Sequence, residues 1–130
     1  DSLTYPWGND FIEGAAVYSR PISAGHLPVM DNAGNPLRPE GASWVGALDM
    51  AGNVSEWVSD WYSSTYYEES PTENPLGPDT GNKRVFRGGS FHSSPNYAAT
   101  DTLRTMYRGS HYPNVALPAF GFRCAMSIAP

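Results

Sequence analysis

The sequence contains one cysteine, Cys124, and few charged residues among its 130 positions. A single thiol cannot form an internal disulfide and cannot supply a cysteine-rich zinc site. Lysine and arginine together number 8, aspartate and glutamate 13, and the formal net charge is −5. Because proteins that bind nucleic acid present basic side chains along the phosphates, we do not expect nucleic acid as a partner.

The sequence also lacks the features of a membrane or secretory segment. No run approaches the roughly 18 apolar residues of a membrane-spanning helix, and residues 1 to 20 lack the charged start, apolar stretch and cleavage site of a signal peptide. We therefore expect no transmembrane span in this chain. It begins at Asp1 rather than at an initiator methionine, which favours an excised or processed piece of a longer protein.

Glycine and proline are abundant, with 13 and 12 residues, whereas charged residues make up 16% and hydrophobic residues 40%. This hydrophobic share is too high, and the charge too low, for a disordered chain. Glycine and proline interrupt helices and central strands, so one loop-rich domain is expected. Residues 1 to 47 should form loops and short strands, and residues 63 to 83 an exposed loop.

Three segments carry the pattern of regular secondary structure. Residues 49 to 62 fit both helical spacing and strand alternation, so periodicity leaves the two open, and their β-branched and aromatic content favours a strand. Residues 84 to 91 and 120 to 128 are predicted to be strands. The pair Gly88-Gly89 predicts a bulge or a close approach of the backbone to another group.

Four separated segments resemble one known family in their order and approximate spacing. They are YPWGN at 5 to 9, LDMAGNVSEWVSDWY at 48 to 62, RVFRGGSF at 84 to 91 and GFRCA at 121 to 125. On these motifs the chain resembles the formylglycine-generating enzyme, or sulfatase-modifying factor, domain family. The resemblance covers nearly the whole chain. It implies an α+β, C-type-lectin-like fold with little regular secondary structure, in which the EWVSDW segment is a strand.

The resemblance also bears on domain organisation. The family domain usually begins well before YPWGN, with a half that includes an RLPTEAEWEYA-like helix, and this sequence contains no such segment. Residues 1 to 130 are therefore expected to be the C-terminal portion of a sulfatase-modifying-factor-like domain, incomplete at its N-terminus. Trp7, Trp57 or Trp61 would then contact polypeptide outside these residues, either the rest of the same protein or a partner protein.

The segment from Asp49 to Glu56 is rich in oxygen ligands. Its two carboxylates bracket a Gly-Asn turn, and Ca²⁺ accepts six to eight oxygens in irregular geometry. The resemblance implies a calcium ion bound by the side chains of Asp49 and Glu56 and by the carbonyls of Gly52 and Val54. The alternative is that Asp49 or Asn53 only supports a turn through hydrogen bonds to the backbone.

The chemistry of the family depends on two cysteines after the GGS motif, which bind copper as thiolates and activate oxygen against a substrate cysteine. The matching positions here are Ser93 and Ala98. Neither side chain is a thiolate, so the resemblance predicts no copper site and no oxidation of a sulfatase cysteine. Cys124 matches a structural cysteine of the family and is expected to be buried, on the same strand face as Phe122.

No other catalytic arrangement is recognisable in the sequence. His26, His92 and His111 lack metal-binding spacing, and there is no nucleophile elbow or glycine-rich phosphate loop. Four arginines are expected to form internal ion pairs and hydrogen bonds that tie the loops together: Arg87, Arg104, Arg108 and Arg123.

Residues 91 to 119 are rich in Tyr, Ser, Asn, His and Thr, a composition typical of adaptable recognition surfaces, and the matching region of the family lines a ligand groove. The resemblance thus predicts a noncatalytic binding or structural module, such as a subunit of a larger assembly. Two alternatives stay open: an iron-dependent sulfoxide synthase with its metal ligands in another domain, or a ligand-binding protein diversified by reverse transcriptase. Calcium is abundant outside the cytoplasm, which favours a location in the periplasm, at the cell envelope or outside the cell.

Overall fold

The computed structural model describes residues 3–12, 15–16, 42–93 and 98–125. Within them, regular elements are short and few. The strands are β1 (Ser55–Trp61), β2 (Arg84–Arg87), β3 (Gly109–His111) and β4 (Phe120–Gly121), and the helices are α1 (Tyr66–Glu69) and a 3₁₀ helix (Ala98–Leu103). The other described residues form turns and loops, which confirms the predicted loop-rich α+β fold.

The four strands form one sheet in the order β3-β2-β1-β4. Strand β2 is antiparallel to both of its neighbours, with Phe86 opposite Trp57 on β1 and opposite Gly109 on β3. Strand β4 runs parallel to β1 and pairs Phe120 with Ser55. The sheet thus joins three of the four sequence segments that carried the family resemblance.

The first pattern-bearing segment, residues 49 to 62, contains a strand rather than a helix. Strand β1 begins only at Ser55, because Gly52 and Asn53 have φ angles of 84° and 62° and turn the chain just before it. The segment forms a strand rather than a helix because it hydrogen-bonds to two neighbouring strands. The sequence pattern within the segment cannot reveal this pairing.

Strand β2 is shorter than the predicted strand 84 to 91. It ends at Arg87 because Gly88 and Gly89 have φ angles of 86° and 67°, a left-handed conformation that favours glycine. A Cβ atom at Gly89 would lie 2.8 Å from a methyl carbon of Leu103. The predicted close backbone approach at this glycine pair is therefore confirmed.

The predicted strand 120 to 128 is largely wrong. Only Phe120 and Gly121 pair with β1, residues 122 to 125 have no strand assignment, and residues 126 to 128 lie outside the described part of the chain. Phe122 is 77% exposed and Cys124 is exposed, so they do not form the expected buried face. The chain leaves the ladder where the Arg123 side chain binds Glu56 and nearby carbonyls.

An aromatic cluster covers one face of the sheet. The ring centroids of Phe86 and Phe120 are 4.8 Å apart, those of Trp57 and Phe120 are 4.9 Å apart, and those of Trp57 and Phe86 are 6.1 Å apart. The Phe86 ring lies over Gly109, where any Cβ atom would come within 2.1 Å of it. Strand β3 thus needs glycine at this position to let the ring pack.

A second hydrophobic cluster joins the N-terminal segment to the loops. Its buried members include Tyr5, Ala51 and Leu103, and the Trp7 ring stacks on Tyr5 with centroids 5.4 Å apart. The amide of Thr105 donates a hydrogen bond of 2.9 Å to the carbonyl of Thr4. These contacts bring the start of the chain beside the segment that follows the 3₁₀ helix.

Candidate functional site

The loop from Asp49 to Val54, which precedes β1, is held by main-chain hydrogen bonds. The Gly52 amide donates to the Gly88 carbonyl at 2.7 Å, and the Phe91 amide donates to the Asn53 carbonyl at 2.7 Å. Asp49 and Asn53 both have positive φ, at 55° and 62°, and Asn53 is 5% exposed. The loop is therefore tightly turned and anchored to the Gly88-Gly89 segment.

All four predicted calcium ligands line one cavity of about 480 Å³ beside this loop, which we call the loop cavity. Asp49 and Glu56 are the carboxylate-bearing residues of this lining, and Gly52 and Val54 lie between them in the chain. Hard oxygen donors of this kind suit calcium. The described part of the chain has no group of three or more His, Cys, Asp and Glu side chains able to hold a metal ion.

Arg123 also lines the loop cavity and binds the Glu56 carboxylate. Its Nε lies 2.9 Å from Oε1 and 2.7 Å from Oε2 of Glu56, and its Nη2 lies 2.6 Å from Oε1. The guanidinium also donates to the carbonyls of Leu48 and Asp49, at 3.0 and 2.8 Å. The hydrogen bond to Glu56 raises the pKa of Arg123, so its charge is retained at any ordinary pH.

A second cavity, of about 290 Å³, lies against the aromatic face of the sheet, and we call it the hydroxyl cavity. Its lining is mainly apolar, with five hydroxyl-bearing residues beside His92, Gly89 and two phenylalanines. The hydroxyl-bearing residues are Ser55, Ser90, Ser93, Thr102 and Tyr107. Its volume approaches the lower end of the range for small-molecule sites, and a lining of this kind offers neutral hydrogen-bonding groups.

Ser93, the match to the first copper cysteine, lies in the wall of the hydroxyl cavity. Its Oγ is 2.8 Å from the Thr102 hydroxyl and accepts a hydrogen bond from the Ser90 amide at 3.1 Å. The Ser93 amide in turn donates to the Ser90 carbonyl at 2.8 Å. This serine therefore closes a turn and joins it to the 3₁₀ helix, which begins at Ala98, the match to the second copper cysteine.

Two of the three histidines fall among the described residues. His92 is exposed and its ring packs on Phe91, with centroids 4.2 Å apart. His111 lies on β3, where its Nδ1 accepts a hydrogen bond of 2.9 Å from the Tyr112 amide. His26 lies outside the described residues. Neither described histidine belongs to a metal-binding group.

The arginines serve mainly internal contacts, as the sequence predicted. Arg87 donates to the carbonyls of Thr105 and Tyr107, at 2.9 and 3.2 Å, and Arg123 binds Glu56. Arg104 pairs with the nearby Asp101 at the surface. Arg108 instead packs over tyrosine rings, 3.9 Å from the centroid of Tyr67 and 5.4 Å from that of Tyr62, an arrangement for which the spacing of these residues gave no signal.

Known proteins support the family resemblance. The model of the family described as "Sulfatase-modifying factor enzyme 1-like domain" matches residues 1–128. The chain therefore belongs to the sulfatase-modifying factor enzyme 1-like family. It is 38% identical over 127 residues to the formylglycine-generating enzyme of Streptomyces coelicolor, in a match that covers 93% of this chain and 40% of that protein.

Two further similarities are informative. Over 128 residues the chain is 38% identical to the serine/threonine-protein kinase Pkn1 of Chlamydia trachomatis, covering 97% of this chain and 18% of that protein. Among solved structures, Treponema denticola variable protein 1 superposes with a TM-score of 0.56 and 27% identity, over 91% of this chain and 39% of that chain. The chain spans two fifths or less of the length of each of these proteins.

Proposed function

We propose that this chain is a noncatalytic binding module of its family, with the hydroxyl cavity as its ligand site. The observation that carries the proposal is the position of Ser93. It stands where the family has its first copper-binding cysteine, and its hydroxyl is engaged with Thr102 and the Ser90 amide. The match to 18% of a protein named as a kinase supports a domain that functions as one part of larger chains.

The proposal predicts that the protein neither binds Cu(I) tightly nor converts a CxPxR peptide to formylglycine, because Ser93 and Ala98 cannot supply thiolates. Cu(I) binding is measured by competition with a chromophoric chelator, and peptide conversion by mass spectrometry. The Streptomyces coelicolor enzyme is the positive control. Conversion by the purified protein that disappears in the Cys124→Ser variant would contradict the noncatalytic assignment.

We also propose that a calcium ion is held in the loop cavity by the side chains of Asp49 and Glu56 and the carbonyls of Gly52 and Val54. Their presence in the lining of one cavity supports this assignment, and bound calcium would supply structural stabilisation of the loop. Calcium dependence also supports a location in the periplasm, at the cell envelope or outside the cell. Among the described residues, no helix has both the length and the apolar character needed to cross a membrane.

A second candidate function is a ligand-binding protein diversified by reverse transcriptase. The similarity to Treponema denticola variable protein 1 favours it, and four residues of the hydroxyl cavity, His92, Ser93, Thr102 and Tyr107, fall within residues 91 to 119, the segment expected to vary. A reverse transcriptase gene beside the gene for this protein would support this candidate. The iron-dependent sulfoxide synthase is a weaker alternative, because its metal ligands would lie outside residues 1–130; a histidine-rich upstream domain would favour it.

For partners, we propose that residues 1–130 are the C-terminal portion of a larger domain and contact polypeptide beyond them. Trp7, Trp57 and Trp61, the residues expected to make this contact, are each partly exposed, and Trp44, which is 83% exposed, is a further candidate. Trp44 lines an apolar cavity of about 510 Å³ together with Tyr5 and Met50. Exposed apolar surface of this kind favours a protein contact.

This partner proposal predicts stronger amide protection around Trp44 in the full-length protein than in residues 1–130 expressed alone. Hydrogen exchange with mass spectrometry measures the protection of residues 42 to 50. Residues 63 to 83, which contain α1 between exposed loop segments and lie away from Trp44 in sequence, provide the internal reference. A monomeric 1–130 fragment with the same protection at residues 42 to 50 would show that no such contact exists.

A further inference from the structure

The loop cavity contains a cation of its own, the guanidinium of Arg123. Three of its nitrogen-to-oxygen contacts, at 2.6 to 2.9 Å, engage both oxygens of the Glu56 carboxylate. Two more reach the carbonyls of Leu48 and Asp49. Charge-assisted bonds of this length are the strong class of hydrogen bond. Arg123 thus gathers oxygens from both ends of the loop that carries the proposed calcium ligands.

The Arg123 guanidinium and a calcium ion would both bind the oxygens of the Glu56 carboxylate. A calcium ion coordinated by Glu56 would place two positive charges within a few ångströms of a third, and that repulsion is large at such separations. Arg123 cannot relieve it by losing its proton, because a guanidinium stays protonated in proteins whatever its partner. Its side chain is 38% exposed, so it can move into water without first having to leave a closed interior.

We propose that Arg123 and calcium compete for Glu56. The inference rests on the calcium site proposed above and adds a second state to it. Without calcium, Arg123 binds Glu56 and fixes residues 121 to 125 against the loop. With calcium, Glu56 turns its oxygens to the ion, Arg123 is released, and residues 122 to 125 lose their anchor. Calcium would then loosen the segment after β4 while it tightens the loop before β1.

A role for Arg123 in positioning Glu56 predicts the opposite change in calcium affinity. If Arg123 only oriented Glu56 toward the ion, as partners of metal ligands often do, then removing it would weaken calcium binding. If it competes, removing it strengthens calcium binding. The sign of the change therefore distinguishes a competitor from a positioning residue.

The test is isothermal titration of calcium into the full-length protein and its Arg123→Gln and Arg104→Gln variants. Arg123→Gln is expected to bind calcium about tenfold more tightly, since it removes the competing charge. Arg104→Gln makes the same change of charge at an arginine that pairs with Asp101 outside the loop cavity, and it should match the wild type. Unchanged or weaker binding in Arg123→Gln overturns the competition.

Two further measurements keep the outcome decisive. If Arg123→Gln fails to fold, Arg123→Lys replaces it, because lysine keeps the charge but loses the two-pronged contact, and a smaller gain in calcium affinity is expected. In the wild type, calcium should speed amide hydrogen exchange in residues 122 to 125. Calcium binding without faster hydrogen exchange in these residues would contradict the proposed competition for Glu56. If neither the wild type nor Arg123→Gln binds calcium, the calcium site itself is wrong, and the inference with it.

Discussion

Replacing Leu103 with alanine is expected to lower the free energy of unfolding by about 2 to 5 kcal/mol, the usual cost of truncating a buried leucine. Leu103 is 3% exposed and belongs to the core cluster with Tyr5, Ala16 and Ala51. It also lies against Gly89, where no space is left for a side chain. The loss would be a large fraction of the stability of a typical domain.

Chemical denaturation, followed by circular dichroism, measures this loss. The matched control is Leu76→Ala, since Leu76 is 87% exposed and its truncation should change the free energy of unfolding by no more than about 0.5 kcal/mol. Equal effects of the two substitutions would mean that Leu103 does not belong to a packed core, and the position of the 3₁₀ helix would be wrong.

Replacing Glu56 with glutamine is expected to weaken calcium binding by about a hundredfold or more, because partners that merely support a metal ligand already contribute up to that factor. The wild type should gain stability with calcium, by about 2.7 kcal/mol when free calcium is a hundred times its dissociation constant. Glu56→Gln should lose that gain at the same calcium concentration.

Thermal unfolding in calcium and in excess chelator measures the gain. Glu68→Gln is the control, since Glu68 lies in α1 and does not line the loop cavity. Asp49→Asn should also weaken calcium binding, because it removes the second of the two carboxylate charges. A wild type whose stability is the same in calcium and chelator, or a Glu56→Gln variant that still responds fully, would contradict the calcium assignment.

The sequence predicted the fold well where local chemistry decides it. Gly88 and Gly89 predicted a close backbone approach, and the left-handed φ angles and the Leu103 contact confirm it. The segment 49 to 62 fitted two periodicities, and only pairing with β2 and β4 selects the strand. Such pairing joins residues far apart in the chain, which a pattern within one segment cannot report.

The core was less predictable. Large aromatic residues drew attention in the sequence, whereas among the described residues Tyr5 is the one aromatic in a buried set that otherwise includes Val85, Leu103, Ala16 and Ala51. Large rings are rarely enclosed on every side, because a small domain has too few neighbours to cover them. Burial of Cys124 was predicted from an extended strand that ends at Gly121.

At the candidate site, the sequence identified four residues that line one cavity but not the arginine that shares it. Arg123 was expected to make internal contacts, yet its partner Glu56 lies 67 positions away. No spacing rule links them. Only β4, which runs parallel to β1 and pairs Gly121 with Glu56, brings the two side chains together.

The contact between Thr4 and Thr105 has a consequence for how the chain folds. It links positions 101 residues apart, and the core cluster joins Tyr5 to Leu103 across 98 positions. Loops of this size lose entropy on closure before native contacts compensate, and domains dominated by distant pairings fold in roughly milliseconds to seconds rather than microseconds. Because the N-terminal segment is made first, its native packing must wait until Leu103 and Thr105 have been synthesised, so this core closes late during synthesis.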